Sequence, residues 1–585
     1  MNILRNRVFD RKVVIRLKDR ICETPEELVD SELFKRVLKI MLTELGKRQS
    51  RLLEIFNDKN CITDNDITIL ISTIRALIKL PIGQVTSIVP QSEQITRDPH
   101  LLEEFLRHFY NYWRSFDRFL ICHSSDDDLD KRPYRTFHTS AEQLMHLVRA
   151  VWRGVYDNVS GTHPNIFRQV SSGAGVAAIT VTKTLPLPAG YEFLNTIPVI
   201  RDVMLFPPLV IDPPMNKRTG QFVEVDANPL HRAKLSPDEW LCYPARVGEL
   251  LINIYFHETF YDLGFALTNL FELADDQALE GRKPDAICLL GVQGTVLDDY
   301  GVFPTVFYDD SANKLLVGAI PGRPEFGYFG YLKKMALTLH NICVIKNKRL
   351  PFHGALFHII LKSGKKATVL VMGDTGTGKS ETLEALRILS DDIQDIIVIA
   401  DDMGSLAIDD NNRIIGYGTE VGAFIRLDDL QPGYAFGQID RTIIMNAGQT
   451  NARVVLPVTS YKHVVQGYPV DIVLYANNFE QVDNTHSAIH EFATVESALQ
   501  VFRAGEAMSK GTTTSSGLVH SYFANVFGPA QYPELHDEIA ERYFRTFSTT
   551  GLFIGEMRTQ LSIPSWEQRG PEKAAHALLD LIRSR

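Results

Sequence analysis

The stretch VLVMGDTGTGKSETLEAL, residues 369 to 386, limits what this chain can fold into more than any other part of it. An apolar run breaks at Gly373. The octet Gly373-Asp374-Thr375-Gly376-Thr377-Gly378-Lys379-Ser380 then fits G-x-x-x-x-G-K-[ST], and apolar residues resume at helical spacing. Such a strand, loop and helix make a phosphate-binding unit. Its glycines let backbone N–H groups turn toward a phosphate, the helix N-terminus adds partial positive charge, and Lys379 and the Ser380 hydroxyl reach phosphate and metal. A glycine turn before an ordinary helix is the plainer alternative, and the flanking strand and helix weigh against it.

The chain has 585 residues, 45% hydrophobic and 23% charged, which suits a globular protein of roughly two to four domains rather than one core. Residues 1–155 carry apolar residues at spacings of three and four, as in EELVDSELFKRVLKIMLTEL and AEQLMHLVRAVWRGVY, and read as a helical N-terminal region. Residues 156–345 change to short β-branched runs between Gly and Pro, such as IPVIRDVMLFPPLVIDPP, and read as a mixed α/β domain. Over 346–585, strands such as DIIVIADD and DIVLYANN alternate with helical segments, so the fold class is α/β with the phosphate loop in its C-terminal domain. The acidic SSDDDLDKRP, 124 to 133, reads as a solvated loop, since no strand or helix pattern fixes its carboxylates.

A formal net charge of −10 argues against nucleic acid or an anionic membrane as the main partner. Six widely spaced cysteines, with no C-x-x-C pair, read as free thiols. The opening MNILRNRVFDRKVVIRLKDR is too charged for a signal peptide, and no stretch approaches the ~18 to 20 apolar residues of a membrane span. A cytoplasmic location is the expectation.

Beyond the loop, IIVIADD is an apolar strand ending in Asp401 and Asp402. Carboxylates at a strand end beside a phosphate loop are positioned to hold a divalent cation, although Asp also favours plain turns. Upstream, FGYFGYLKKMAL sets Lys333 beside Lys334, and LPFHGALFHI puts His353 just before the strand of the loop. Taken singly, a lysine pair reads as a solvated face and a lone histidine as a satisfied core or surface residue.

Taken in order, these pieces resemble the nucleotide-dependent phosphoenolpyruvate carboxykinases. The family's E-Y-x-G-E-M-K-K, M-H-C-S-A-N, G-x-S-G-T-G-K-T and G-D-D stretches correspond to GYFGYLKK (327 to 334), FHGALF (352 to 357), GDTGTGKS (373 to 380) and ADDMG (400 to 404). GTEVGAFIRL resembles its E-G-G-C-Y-A-K block and TNARVVLPV its N-T-R-V-x-Y-P block. GTTTSSGLVHSYFANVFGP resembles its G-T-E-R-G-x-T-E-P-x-P-x-F-S-A-C-F-G block, so that seven blocks in order cover roughly residues 285 to 535.

The resemblance implies a carboxykinase-like two-lobed fold with a P-loop C-terminal domain, a substrate-binding domain over 156–345 and the site in the cleft between them. The helical region 1–155 has no counterpart and is left the roles of oligomerisation, regulation or partner binding. The implied reaction interconverts oxaloacetate with phosphoenolpyruvate and CO₂, using ATP or GTP as phosphoryl partner. Lys334, His353 and Asp402 would then be Mn²⁺ ligands. An amine ligates only when neutral, so Lys334 would need a depressed pKa, which Lys333 and a nearby cation supply. Asp401 and Ser380 would hold a Mg²⁺ on the phosphates, Lys379 and Arg453 would neutralise the transferring phosphoryl group, and Lys333 and Tyr328 would face the substrate. Glu420 matches the acid of the E-G-G block and is grouped with the cofactor-side residues, its role open.

The sequence departs from the family at both ends of the reaction. The family's substrate-binding arginine motif, T-G-R-S-P-K-D or A-R-V-E-S, has no close copy, and YPARVGELLI offers Arg246 in its place. The arginine that helps hold the base in ATP-dependent members falls at Thr514, which brings in the pyrophosphate-dependent carboxykinases and leaves ATP, GTP and pyrophosphate as candidate partners. GDTGTGKSE also resembles the loop of HPr-type serine kinases, so a protein or small-molecule kinase is a second expectation, against which the lysine pair and His353 count. A non-catalytic nucleotide- or phosphate-sensing regulator on this fold is a third, opposed by the presence of the phosphate and metal residues named above.

Overall fold

The computed structural model describes residues 3–17, 21–124, 131–162, 166, 168–388, 390–429, 436–483, 486–509 and 517–585. The chain is a mixed α/β protein whose contacts divide it into two compact units, Met1–Lys183 with Pro198–Phe206, and Thr184–Ile197 with Pro207–Arg585. Among the described residues no helix is long and apolar enough to cross a membrane. Most of the acidic stretch after Ser124, and Thr514, lie outside the described residues.

The first unit has the helices expected from its periodicity, at Glu32–Lys47, Asp64–Leu77, Pro99–Arg114 and Lys131–Ser160. Their starts carry side-chain caps: Ser31 accepts from the Phe34 N–H, and Thr63 and Asp66 form a reciprocal capping box. Leu38 and Met41, Leu70 and Ile74, and Phe105 and Phe109 repeat at three or four and are fully buried. The region is not helical alone, however. Ile3–Phe9 and Lys12–Leu17 make a hairpin through Asp10 and Arg11, both left-handed at φ 41° and 62°. Lys12–Leu17 pairs in parallel with Asp117–Ser124, which pairs with Val176–Val181, itself antiparallel to Val199–Leu205. Runs such as KVVIRL and FLIC are buried strands too short for periodicity to separate from helix, and they carry this unit past residue 155 to Lys183.

The second unit contains a sheet in the order Trp240–Val247, Leu250–His257, Ala286–Val292, Leu315–Pro321, Val306–Asp310, Val223–Glu224. The helix Phe329–Lys346 packs on it and is buried along nearly its whole length. A second sheet is centred on three parallel strands, Lys366–Met372, Ile472–Asn477 and Phe553–Arg558. Parallel strands need cover on both faces. Leu383, Leu386 and Leu578, from the helices Lys379–Ile388 and Arg569–Ser584, join Val369 and Val371 on one face. Phe502 and Phe544, from Val495–Ala504 and Pro533–Thr550, join Leu370 and Met372 on the other. The alternation along VLVM is thus the period of a strand buried twice. Leu350–Leu361 extends this sheet antiparallel to Lys366–Met372, Ile393–Ala400 and Met403–Ile408. The unit also holds a small sheet of Gly422–Arg426, Arg453–Pro457, Ile443–Met445 and Leu209–Ile211, and a two-stranded one of Glu506–Ser509 and Gly517–His520.

Candidate active site

The phosphate loop lies at the C-terminal ends of the parallel strands, where open α/β sheets bind ligands. Gly376 and Gly378 stand at φ 79° and 94°, and a Cβ on Gly378 would come within 2.6 Å of the Thr559 Cβ. The two neighbouring strand ends tie the loop down by its carbonyls: Asn478 Nδ2 donates to Gly376 O at 3.0 Å, and Thr559 Oγ1 to Thr377 O at 2.6 Å. Thr377 Oγ1 donates to Asp374 O at 2.7 Å, while Thr375 N donates to the Asp374 carboxylate at 2.6 Å. Lys379 is buried and donates to Gly373 O at 2.8 Å and Asp374 O at 2.7 Å. Burial lowers its pKa, and the charges of Asp402 and Asp374 oppose that. Ser380, the second residue of the helix, is partly exposed.

Asp402 is the hub of the site. Its Oδ2 accepts from Lys333 Nζ at 2.8 Å and Lys334 Nζ at 2.7 Å, and its Oδ1 lies 2.9 Å from His353 Nε2. Lys333 also pairs with Glu420 Oε1 at 2.9 Å. Backbone bonds fix the frame: Gly373 N donates to His353 O, and Gly354 N to Asp402 O. His353 Nδ1 lies 2.6 Å from Ala524 O, and a carbonyl only accepts, so Nδ1 donates there and the bond fixes the ring with Nε2 facing Asp402. Ala524 and its neighbour Phe523 are both left-handed at φ 52°, a conformation L-residues adopt at a cost.

The electrostatics separate these groups. Burial pushes Asp401 up to about 6, and the adjacent Asp402 adds to it. Burial works against Asp402 as well, but Lys333 and Lys334 overcome it and hold that carboxyl well below the usual range. Burial lifts Glu420 to about 7, against the pull of Lys333. Lys334 is lowered by burial and by the charge of Lys333, whereas Asp402 and Glu420 together hold Lys333 above the ordinary lysine value despite its burial.

A cationic, aromatic wall adjoins this hub. The charge of Arg453 reaches Tyr328, and the guanidinium Cζ lies 5.5 Å from the Phe424 ring centre. Lys333 Nζ lies 5.9 Å from the same ring centre. Phe527 carries Lys334 Nζ at 4.8 Å and the Arg218 guanidinium at 5.2 Å. Burial lowers Arg218, and its charge reaches Tyr328 together with those of Arg453 and Lys333. Sequence reasoning passed over Arg218, because NKRTGQF reads like any solvated loop. Arg246 is engaged with other groups: it sits opposite Glu272 on Trp240–Val247 with its guanidinium 4.1 Å from the Tyr461 ring centre.

The donor set fits divalent cations of the kind the sequence implies. His353 offers Nε2 with its other nitrogen held by a carbonyl, the arrangement that orients a metal-binding histidine. Asp402 is ionised beside it, and Lys334 is the lysine of the pair whose pKa burial lowers. Asp401 Oδ1 is sealed from solvent without a hydrogen-bond partner, a carboxylate oxygen suited to a cation beside the loop. Among the described residues no three His, Cys, Asp or Glu side chains form a metal cluster, so a cation here would draw on the lysine as well. Compared with known proteins, the chain matches no family model and no curated relative.

Proposed function

We propose that this protein is a cytoplasmic, metal-dependent phosphotransferase of the phosphoenolpyruvate carboxykinase kind, with the family's two-lobed fold and its P-loop domain over 346–585. It interconverts oxaloacetate with phosphoenolpyruvate and CO₂, with ATP, GTP or pyrophosphate as phosphoryl partner. The observation that carries this reading is the convergence of Lys333, Lys334 and His353 on Asp402, one strand from a phosphate loop. A simple kinase has no evident use for two lysines and a histidine beside its metal carboxylate.

In the proposed direction the C–C bond to the leaving carboxylate breaks, CO₂ departs, and the electron pair remains as an enolate whose oxygen attacks the terminal phosphorus. Arg218 and Arg453 hold the carboxylates of the organic acid, Arg453 in place of the phosphoryl-side role that the resemblance implies, and Tyr328, which the charges of Arg453, Lys333 and Arg218 reach, faces the same acid. Lys333 carries positive charge toward the developing enolate oxygen, and its raised pKa keeps it charged throughout. Lys379 exchanges its carbonyl partners for the phosphoryl oxygens and neutralises charge as the bond to the leaving group breaks. Mn²⁺ held by Lys334, His353 and Asp402, and Mg²⁺ held by Asp401 and Ser380, would supply Lewis-acid stabilisation of the same oxygens.

The direct test follows phosphoenolpyruvate formed by the purified protein from oxaloacetate with Mn²⁺, Mg²⁺ and ATP, GTP or pyrophosphate in turn. Product with one of the three is expected. Absence of product with all three, while pyrophosphate or ATP still binds, would favour a kinase or a sensor. His353→Ala is expected to weaken Mn²⁺ binding at least tenfold while leaving the unfolding midpoint nearly in place, as loss of one ligand does. An unchanged Mn²⁺ titration would remove His353 from the ligand set. Arg218→Ala is expected to raise the KM for oxaloacetate by about a hundredfold, as loss of a charged hydrogen-bonding partner does, whereas Arg246→Ala changes it little. The reverse pattern would return the carboxylate to Arg246.

A further inference from the structure

Arg218 and Arg453 sit far apart in the chain, and each is preceded two residues earlier by an asparagine: Asn216-Lys217-Arg218 and Asn451-Ala452-Arg453. Asn451 bonds the backbone of Asn216, and Asn216 bonds the two residues just before Asn451. Asn451 Nδ2 donates to Asn216 O at 2.5 Å, while Asn216 Nδ2 donates to Thr450 O at 2.8 Å and to Gln449 Oε1 at 3.3 Å. One turn earlier, buried Asn446 donates to Pro213 O at 2.7 Å and to Asp212 Oδ1 at 3.3 Å. Both Asn446 and Asn451 are left-handed, at φ 55° and 65°, a conformation asparagine tolerates better than most residues. The other side of the same segment is tied to the start of the lysine-bearing helix, through Met215 N to Gly327 O at 3.1 Å and Thr219 N to the Tyr331 hydroxyl at 2.9 Å.

Residues 212 to 219 have no helix or strand to hold them, so these side-chain bonds decide where Arg218 stands. An arginine on an irregular loop has too much freedom to meet a small dianion in one geometry unless its backbone is fixed. We infer that Asn216 and Asn451 are positioning residues that clasp the Arg218 loop to the Arg453 strand and thereby set the spacing of two guanidinium groups for a small organic dicarboxylate. Asn451 Oδ1 and Arg453 Nε are buried without partners, so the clasp spends the asparagine donors and leaves polar atoms beside Arg453 unpaired. The inference rests on the reading of Arg218 and Arg453 as carboxylate-binding groups.

The test measures oxalate and pyrophosphate binding to the full-length protein by calorimetry in Mn²⁺. Asn216→Ala, and Asn451→Gly, which keeps the left-handed backbone available, are each expected to weaken oxalate about tenfold, the loss of one to two hydrogen bonds. Pyrophosphate affinity stays unchanged. Because the clasp acts through Arg218, the double variant Asn216→Ala with Arg218→Ala is expected to bind oxalate no more weakly than Arg218→Ala alone. Wild-type oxalate affinity in Asn216→Ala, full additivity in the double variant, or a parallel fall in pyrophosphate binding would each overturn the clasp, the last two by showing a merely structural role. If Arg218→Ala itself binds oxalate normally, the reading of the site fails first and the clasp falls with it.

Discussion

Replacing Lys379 by alanine is expected to lower phosphoenolpyruvate formation by roughly 10³-fold or more, the scale on which removal of a charged group from a transferring phosphoryl centre acts. The expectation follows from what the ammonium does without ligand. It is buried, and its two hydrogen bonds go to the loop carbonyls of Gly373 and Asp374 rather than to a carboxylate. Burial disfavours that charge, so a phosphate arriving in the loop replaces weak acceptors by a strong one. The fold does not depend on the lysine in the same way. The loop keeps its bonds from Asn478 and Thr559, so the unfolding midpoint of Lys379→Ala should stay close to that of the wild type. Turnover within tenfold of wild type under saturating donor would show that the loop does not hold the reacting phosphate.

The parts of this site that sequence could name are those whose chemistry is compressed into a few consecutive residues. GDTGTGKS announces a strand, a turn and a helix at once, because only glycine fits φ near 79° and 94° at positions 376 and 378. Asp401 and Asp402 were legible from a strand running into two carboxylates, and Lys333, Lys334 and His353 only through the family resemblance that their order along the chain carries. The sequence could not say that all three side chains meet on Asp402, since that depends on Leu350–Leu361 pairing with both Lys366–Met372 and Met403–Ile408. Arg218 was hidden for the opposite reason: its loop has no periodicity, and only the bonds to residues 446 to 451 bring it to Phe527. The N-terminal strands were lost beneath strong helical neighbours, because a short buried run has no period of its own.

The two adjacent carboxylates should respond to neutralisation with opposite signs in the metal-free protein. Asp401→Asn is expected to raise stability at pH 8 by up to about 3 kcal/mol, since its carboxyl moves from 3.8 to about 6 on folding and each unit corresponds to about 1.4 kcal/mol. A pKa raised by folding means that the folded state binds the proton better. Stability is therefore lost as pH rises from about 4 through 6, and the gain in the variant should be full at pH 8 and gone near pH 4. Asp402→Asn is expected to do the reverse and cost about 3 kcal/mol, because it leaves Lys333 and Lys334 buried with one fewer counter-charge. Its folded pKa lies well below 3.8, so that contribution persists above about pH 4 and is lost only as pH falls through the folded value. Both variants should lose phosphoryl transfer, and only Asp401→Asn should do so while melting higher, a separation that unfolding curves at pH 8 and pH 4 would read directly. A stability gain for Asp401→Asn that does not shrink with acidification would mean that its buried oxygen is not the source of the strain, and that the second cation position beside the phosphate loop has to be sought elsewhere.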